Sequence, residues 1–282
     1  QDQIQQQDLD ANQPSDFFED GRSNRNTDIA YGRLVDSAGL PQGTADVRLD
    51  STTSRQKHPD AAWSGSEFGV AWQDDRDGNF EVYFKRISSA MAAVGTAVRV
   101  TSSLGSSRLP TIAWSGSEWG LAWEDERDSG DLEIYFTRLS ADGTLPGSDL
   151  RITSWAGAST SPSISWSGSE WAIAWQDDGW VNSEIGFLRI SPDGVPIGSH
   201  VRVTSDSAVS ATPDIVWTGS SFLIVYSHSH SYYSFQVGAD GSILNGPTIY
   251  AQPGAWDLLS ARRRTSSSPA PTAAGSPARR GT

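Results

Sequence analysis

Oxygen-bearing side chains recur at alternate positions in three short stretches. Asp77-Gly78-Asn79-Phe80-Glu81 is the tightest; Asp128, Asp131 and Glu133 form a looser version, and Asn24-Arg25-Asn26-Thr27-Asp28 a third. Ca²⁺ accepts six to eight oxygens in flexible geometry, so a tight turn with alternate oxygen donors suits it. The stretches lack the Asp-x-Asp-x-Asp-Gly run of an EF-hand, and Asx-rich hairpin turns capped by a strand acid are the simpler reading. Ca²⁺ is therefore the one cofactor the sequence suggests, with Asp77, Asn79, Glu81, Asp128, Asp131 and Glu133 as its candidate ligands.

His228 and His230 lie two apart and would share one face of an extended segment, as metal-binding pairs do. Zinc needs three or four ligands, and His58 and His200 fall in other parts of the chain, so a divergent loop is expected instead. Trp155 and Trp180 stand outside the repeated aromatic positions described below, and Tyr232 and Tyr233 are placed with them. Sugar rings stack on exposed indoles and phenols, and aromatics in loops are better binding candidates than those packed in strands. The expected ligand-binding set is Trp155, Trp180, Tyr232, Tyr233, His228 and His230.

One further pattern, Trp-x-Asp-x-Arg, returns several times, with Asp20, Asp74, Asp125 and Asp177 and with Arg22, Arg76 and Arg127. Catalysis needs one asymmetric constellation rather than the same group in every repeat, so a charged pair holding a hairpin is expected here. No Gly-x-Ser-x-Gly elbow, phosphate loop or His-Glu-x-x-His helix occurs, and the reading leans away from an enzyme.

These residues are positioned by a tandem repeat. Trp63, Trp114, Trp166 and Trp217 follow one another at 51, 52 and 51 residues, and Trp72, Trp123, Trp175 and Tyr226 keep the same steps. Four short strands per copy at about this period predict β-propeller blades. In the unit from Pro110 to Thr153, Trp119, Leu121 and Trp123 alternate with Gly120 and Ala122, a period of two that marks a strand. Bulky groups on one face and Gly or Ala on the other let identical blades stack. Pro59, Pro110 and Pro162 are expected to open each unit, since proline donates no N–H and tolerates a strand start.

The expected fold is all-β, a propeller of four-stranded antiparallel blades, five in number or part of a larger ring. Residues 1–15 are expected to be a flexible leader. Residues 16–260 form the propeller, with a partial blade at 16–56, blades at 57–106, 107–158, 159–208 and 209–250, and a closing segment at 251–260. The stretch 247–260 is expected to pair with strands from residues 17–50 and complete the ring. Residues 261–282, which hold Arg262, Arg263, Arg264, Arg279 and Arg280, are expected to be disordered.

The chain of 282 residues has a formal charge of −13 and no cysteine. Such an acidic body repels phosphate backbones, so nucleic acid is excluded as a partner. No apolar run reaches the ~20 residues of a membrane-spanning helix.

The unit Trp-x-Gly-Ser-Glu-Trp, Ala-Trp-x-Asp-x-Arg-Asp, Glu-Ile-Tyr-Phe-x-Arg, Asp-Gly, Arg-Val-Thr resembles the propeller-like repeats of large exported proteins of myxobacteria and their relatives, over residues 17 to about 250. The resemblance implies a secreted or surface location and a β-propeller, with no single activity. The expected function is a non-catalytic exported module that binds a glycan or a cell-surface protein. Two alternatives stand beside it: a carbohydrate-active hydrolase or lyase using carboxylates at the ring's mouth, and an architectural module of a larger surface protein.

Overall fold

The computed structural model describes residues 15–20, 28–35, 40, 42, 46–128, 131–205, 207–229 and 231–251. All regular structure among them is β-strand. The first sheet holds β1 (Ser15–Asp20), β2 (Ile29–Leu34) and β3 (Val47–Arg48). Four four-stranded antiparallel sheets follow. The second comprises β4 (Gln56–Trp63), β5 (Glu67–Asp74), β6 (Glu81–Ser88) and β7 (Ala93–Arg99). The third comprises β8 (Ser107–Trp114), β9 (Glu118–Asp125), β10 (Glu133–Ser140) and β11 (Leu150–Arg151). The fourth comprises β12 (Ser159–Trp166), β13 (Trp171–Asp177), β14 (Glu184–Ile190) and β15 (Pro196–Arg202). The fifth comprises β16 (Ser210–Trp217), β17 (Ser221–His228), β18 (Ser231–Gly238) and β19 (Ile243–Ala251). Within each sheet the strands pair in chain order, as in propeller blades.

The first strands β4, β8, β12 and β16 are innermost, each packed on the next. The closing arrangement expected for 247–260 is corrected in part. Residues up to Ala251 belong to β19 and pair with β18 of the fifth blade, Thr248 opposite Ser234 and Ile249 opposite Tyr233. The rest of that segment, the leader and the basic tail lie outside the described residues.

Blade stacking follows from the alternation in the second strands. Trp119 and Trp171 are fully buried and lie on the glycines of the preceding blade. A Cβ on Gly69 would come 2.6 Å from the Trp119 indole, and one on Gly120 would come 2.6 Å from that of Trp171. At the next step the small residue is Ala172 and the large one Phe222, in one core cluster. The small side chain grows as its aromatic partner shrinks, the volume matching that close-packed interiors demand. Gly65, Gly116, Gly168 and Gly219 turn the first hairpin of each blade at φ of 95–96°, where a side chain would be strained.

The repeated prolines do not open strands. Pro59, Pro110, Pro162 and Pro213 sit inside the innermost strands, at a register shift that interrupts each first hairpin. The residue before each one, His58, Leu109, Ser161 or Thr212, has φ of 47–51°. A bulge needs no ladder N–H at that point, which is why proline is accepted mid-strand. The bulge also turns backbone N–H groups toward the previous blade: Leu109 N–H donates to Gln73 Oε1 at 3.0 Å, and Ser161 N–H to Glu124 Oε2 at 3.2 Å.

Candidate functional site

Antiparallel pairing places the end of every second strand, the start of the third, the end of the fourth and the start of the first at one end of each blade. The expected ligand and metal residues among those described therefore share one face of the assembly. In the third blade that face carries a buried clasp. Asp125 accepts from Trp123 Nε1 at 2.8 Å, Ser107 Oγ at 2.8 Å, Arg127 Nη2 at 2.7 Å and the Arg127 backbone N–H at 2.9 Å. Arg127 also reaches Asp149 at 2.8 Å and lies 4.3 Å over the Tyr135 ring. The second blade repeats this with Asp74, Trp72, Arg76 and Tyr83, the arginine reaching Asp50 of the first blade. Burial alone would raise the Asp74 and Asp125 pKa values, but hydrogen bonds from the arginine and indole outweigh it and hold both below the usual range. The Trp-x-Asp-x-Arg pattern is thus a structural pair.

The expected calcium ligands are engaged by this framework. Asp77 accepts from Tyr83 Oη at 2.5 Å and pairs with Arg99 at 3.4 Å. Asn79 Nδ2 donates to Glu81 Oε1 and to the carbonyls of Ser103 and Gly105, so its amide is committed as a donor. Glu81 is fully buried against Arg99 and Thr101. Asp128 receives the Tyr135 hydroxyl and Arg151, while Glu133 pairs with Arg151 at 2.7 Å. Asp131 is exposed. Among the described residues no group of three His, Asp or Glu side chains is placed to hold a metal.

The fourth blade replaces the clasp. Gly179 stands where Arg127 does and Trp180 where Asp128 does; Gly186, opposite Trp175, takes the register of Tyr135, opposite Trp123. Trp155 enters the vacated arginine position: its Nε1 donates to Asp177 Oδ2 at 2.7 Å, beside the bond from Trp175 Nε1 at 3.0 Å. His200 occupies the place of Asp149, two residues before the strand-ending arginine, and its exposed ring lies 4.1 Å from that of Trp155 and 6.4 Å from Trp180. Arg202 approaches the Trp180 ring at 5.0 Å. Trp155 and Trp180 are thereby brought together around His200, which the spacing along the chain sets apart from both.

The other four residues are separate, in the fifth blade. His228 takes the position of the clasp aspartate and lies 3.2 Å from Ser210 Oγ, the counterpart of the 2.8 Å contact between Asp125 and Ser107. Tyr233 pairs with Tyr226 as Tyr135 does with Trp123, so its grouping with the non-repeated aromatics is corrected: it fills a repeated strand position and packs 5.0 Å from His228. Tyr232 is half-buried on β18, and His230 lies outside the described residues.

A second feature lies on the inner strands. The residue after each proline is Asp60, Thr111, Ser163 or Asp214. Asp60 Oδ2 accepts from Thr111 Oγ1 at 3.0 Å and Ile112 N–H at 2.9 Å; Asp214 Oδ1 accepts from Ser163 Oγ at 2.8 Å. Burial pushes the Asp60 carboxyl up to about 6 against those hydrogen bonds, with a further rise from the charge of Asp214. The sequence signal was that the position after an otherwise constant proline holds an acid in the two outer copies and a hydroxyl in the two between them. Because the folded pKa exceeds the unfolded one, stability from neutral Asp60 is present below about pH 4 and lost as pH rises through about 6. Asp60→Asn keeps the acceptor and removes the charge. We expect it to stabilise the protein by about 1–2 kcal/mol at pH 8, allowing for partial exposure, and to flatten the melting temperature between pH 4 and 7. An unchanged pH profile would refute the assignment.

No protein-family model and no curated protein matches the sequence. Solved structures do match. An α-L-arabinofuranosidase from Lactobacillus brevis superposes with a TM-score of 0.53 at 11% identity, over 89% of this chain and 99% of that one. A subtype N10 neuraminidase-like protein of A/little yellow-shouldered bat/Guatemala/060/2010 gives 0.54 at 10% identity, over 84% and 79%. A thermostable family-43 glycoside hydrolase gives 0.51 at 15% identity, over 81% and 88%. At these identities the likeness establishes the propeller fold.

Proposed function

We propose that this protein is an exported, glycan-binding β-propeller whose ligand rests on the fourth-blade cluster of Trp155, His200 and Trp180. The observation that carries this reading is that in the fourth blade the arginine and tyrosine of the clasp give way to partly exposed aromatic rings around the retained Asp177. Indoles offer a flat apolar face to the C–H groups of a sugar ring, and non-repeated aromatics are where a repeat protein departs from its own packing rules. That two of the structural neighbours are named as an arabinofuranosidase and a glycoside hydrolase is compatible with a saccharide ligand. The test is retention of the chain on a broad glycan array. Trp180→Ala, which removes no side-chain hydrogen bond of the framework, is expected to weaken retention about tenfold or more while leaving the melting temperature nearly unchanged. Undiminished retention would sink the reading.

A second reading, cleavage of a glycan at the inner strands rather than at the fourth-blade cluster, is favoured by Asp60, which is hydrogen-bonded across the blade boundary to Thr111 and has its pKa raised to about 6. A carboxyl group that holds its proton near neutral pH is what acid-assisted glycoside hydrolysis uses. It predicts new reducing ends on incubation with polysaccharide, abolished by Asp60→Asn or Asp214→Asn.

A further inference from the structure

The second and third blades show what normally surrounds the arginine that ends a blade's fourth strand. Arg99 and Arg151 each meet two carboxylates, a strand glutamate and a loop aspartate: Glu81 and Asp77 for the first, Glu133 and Asp128 for the second. The aspartate is fixed in both by a tyrosine hydroxyl. In the fourth blade Arg202 keeps the glutamate, pairing with Glu184 at 2.5 Å, and keeps the bond from Nε to its own loop, to Thr204 O at 2.8 Å. The loop aspartate has become Trp180 and the tyrosine Gly186. Among the described residues Glu184 is its ion-pair partner, and the Arg202 side chain is 34% exposed. The remaining acid of that loop, Asp178, is held by Ser183 Oγ at 2.5 Å.

Resting on the glycan reading above, we propose that the fourth-blade cluster selects acidic saccharides. The uronate carboxylate takes, on Arg202, the position that Asp128 occupies on Arg151, and the sugar ring stacks against Trp180 beside His200. A guanidinium presents a fixed fork of donors suited to a carboxylate, and a charge-assisted bond is roughly twice as strong as a neutral one. The aromatic walls lower the local dielectric and strengthen it further. The blade thus converts an internal ion pair into one completed by ligand.

The experiment is calorimetric titration of the full chain with a linear tetramer of galacturonate and with the same tetramer fully methyl-esterified, at low and high salt. The acidic tetramer is expected to bind about tenfold or more tighter than the ester, with the difference shrinking at high salt. Trp180→Asp restores the residue found in the other two blades, so the fold has a ready partner for it in Arg202. It is expected to abolish binding of the acid with an unchanged melting temperature, whereas Trp180→Phe retains the preference. Equal affinity for acid and ester would overturn the acidic selectivity and leave glycan binding standing. Binding of neither, together with an empty glycan array, would remove both. Full binding by Trp180→Asp would place the site elsewhere and overturn the proposal.

Discussion

Asp125→Ala is expected to destabilise the protein by about 3–5 kcal/mol, the range for removing one member of a buried, hydrogen-bonded charge pair. The carboxylate has no solvent exposure and receives five donors from three parts of the third blade. Its loss leaves the Trp123 indole N–H, the Ser107 hydroxyl and the Arg127 backbone N–H without their acceptor, and each buried orphan costs about 1–3 kcal/mol. Arg127 keeps Asp149, which limits the damage. Denaturant unfolding measures the loss. Asp125→Asn separates charge from hydrogen bonding. Since the folded pKa lies below the ordinary value, the charge contributes stability that is present above about pH 4 and disappears as pH falls through the folded pKa. The Asn variant should lose that acid-side dependence at this site. A loss below about 1 kcal/mol for the alanine variant would show that the clasp is not a principal tie.

The second large effect belongs to the blade interface. Gly120→Leu drives a branched side chain into the indole of Trp171, which lies 2.6 Å from where even a Cβ would sit. Overpacking of this kind costs about 1–3 kcal/mol and more where the obstacle is rigid, and Trp171 is wedged among Ile164, Phe136 and Trp166. The informative control is a pair. Gly120→Ala alone is expected to destabilise, Trp171→Phe alone to leave a void, and the two together to recover much of both losses, because Ala172 and Phe222 already make that combination one blade later. Additive losses in the double variant would reject volume matching as the reason for glycine here.

Ring closure, by contrast, is weakly marked in the sequence. The expected pairing of 247–260 with strands from residues 17–50 rests on a faint pattern at Pro253 to Trp256, while the expected blade boundary at 250 lies within one residue of the observed end of β19. Cross-strand registry shows that β18 takes β19 as its partner through Ala251, with several irregular steps. No repeat motif marks β19, whose exposed Ile243, Leu244 and Ile249 follow no alternation that a single strand would reveal.

What the sequence by itself determined is whatever repeats at short range. Alternation of large and small groups along Trp119 to Trp123 specifies a strand, the Ser-Gly-Ser turn specifies a hairpin, and the recurrence of both specifies blades, since each signal is local and period two has one structural solution. Trp155 and Trp180 were legible as exceptions for the same reason. Only the tertiary structure decided what those exceptions touch. Trp155 and the Asp177 it binds lie 22 residues apart, His200 reaches them from another strand, and Asp60 meets Thr111 across a blade boundary. The shortened loop of the fifth blade hid the equivalence of Tyr233 with Tyr135, which appears once strands are paired. A side chain's partners across strands and blades depend on register, which pleat and bulge set in three dimensions and which no spacing along one strand encodes.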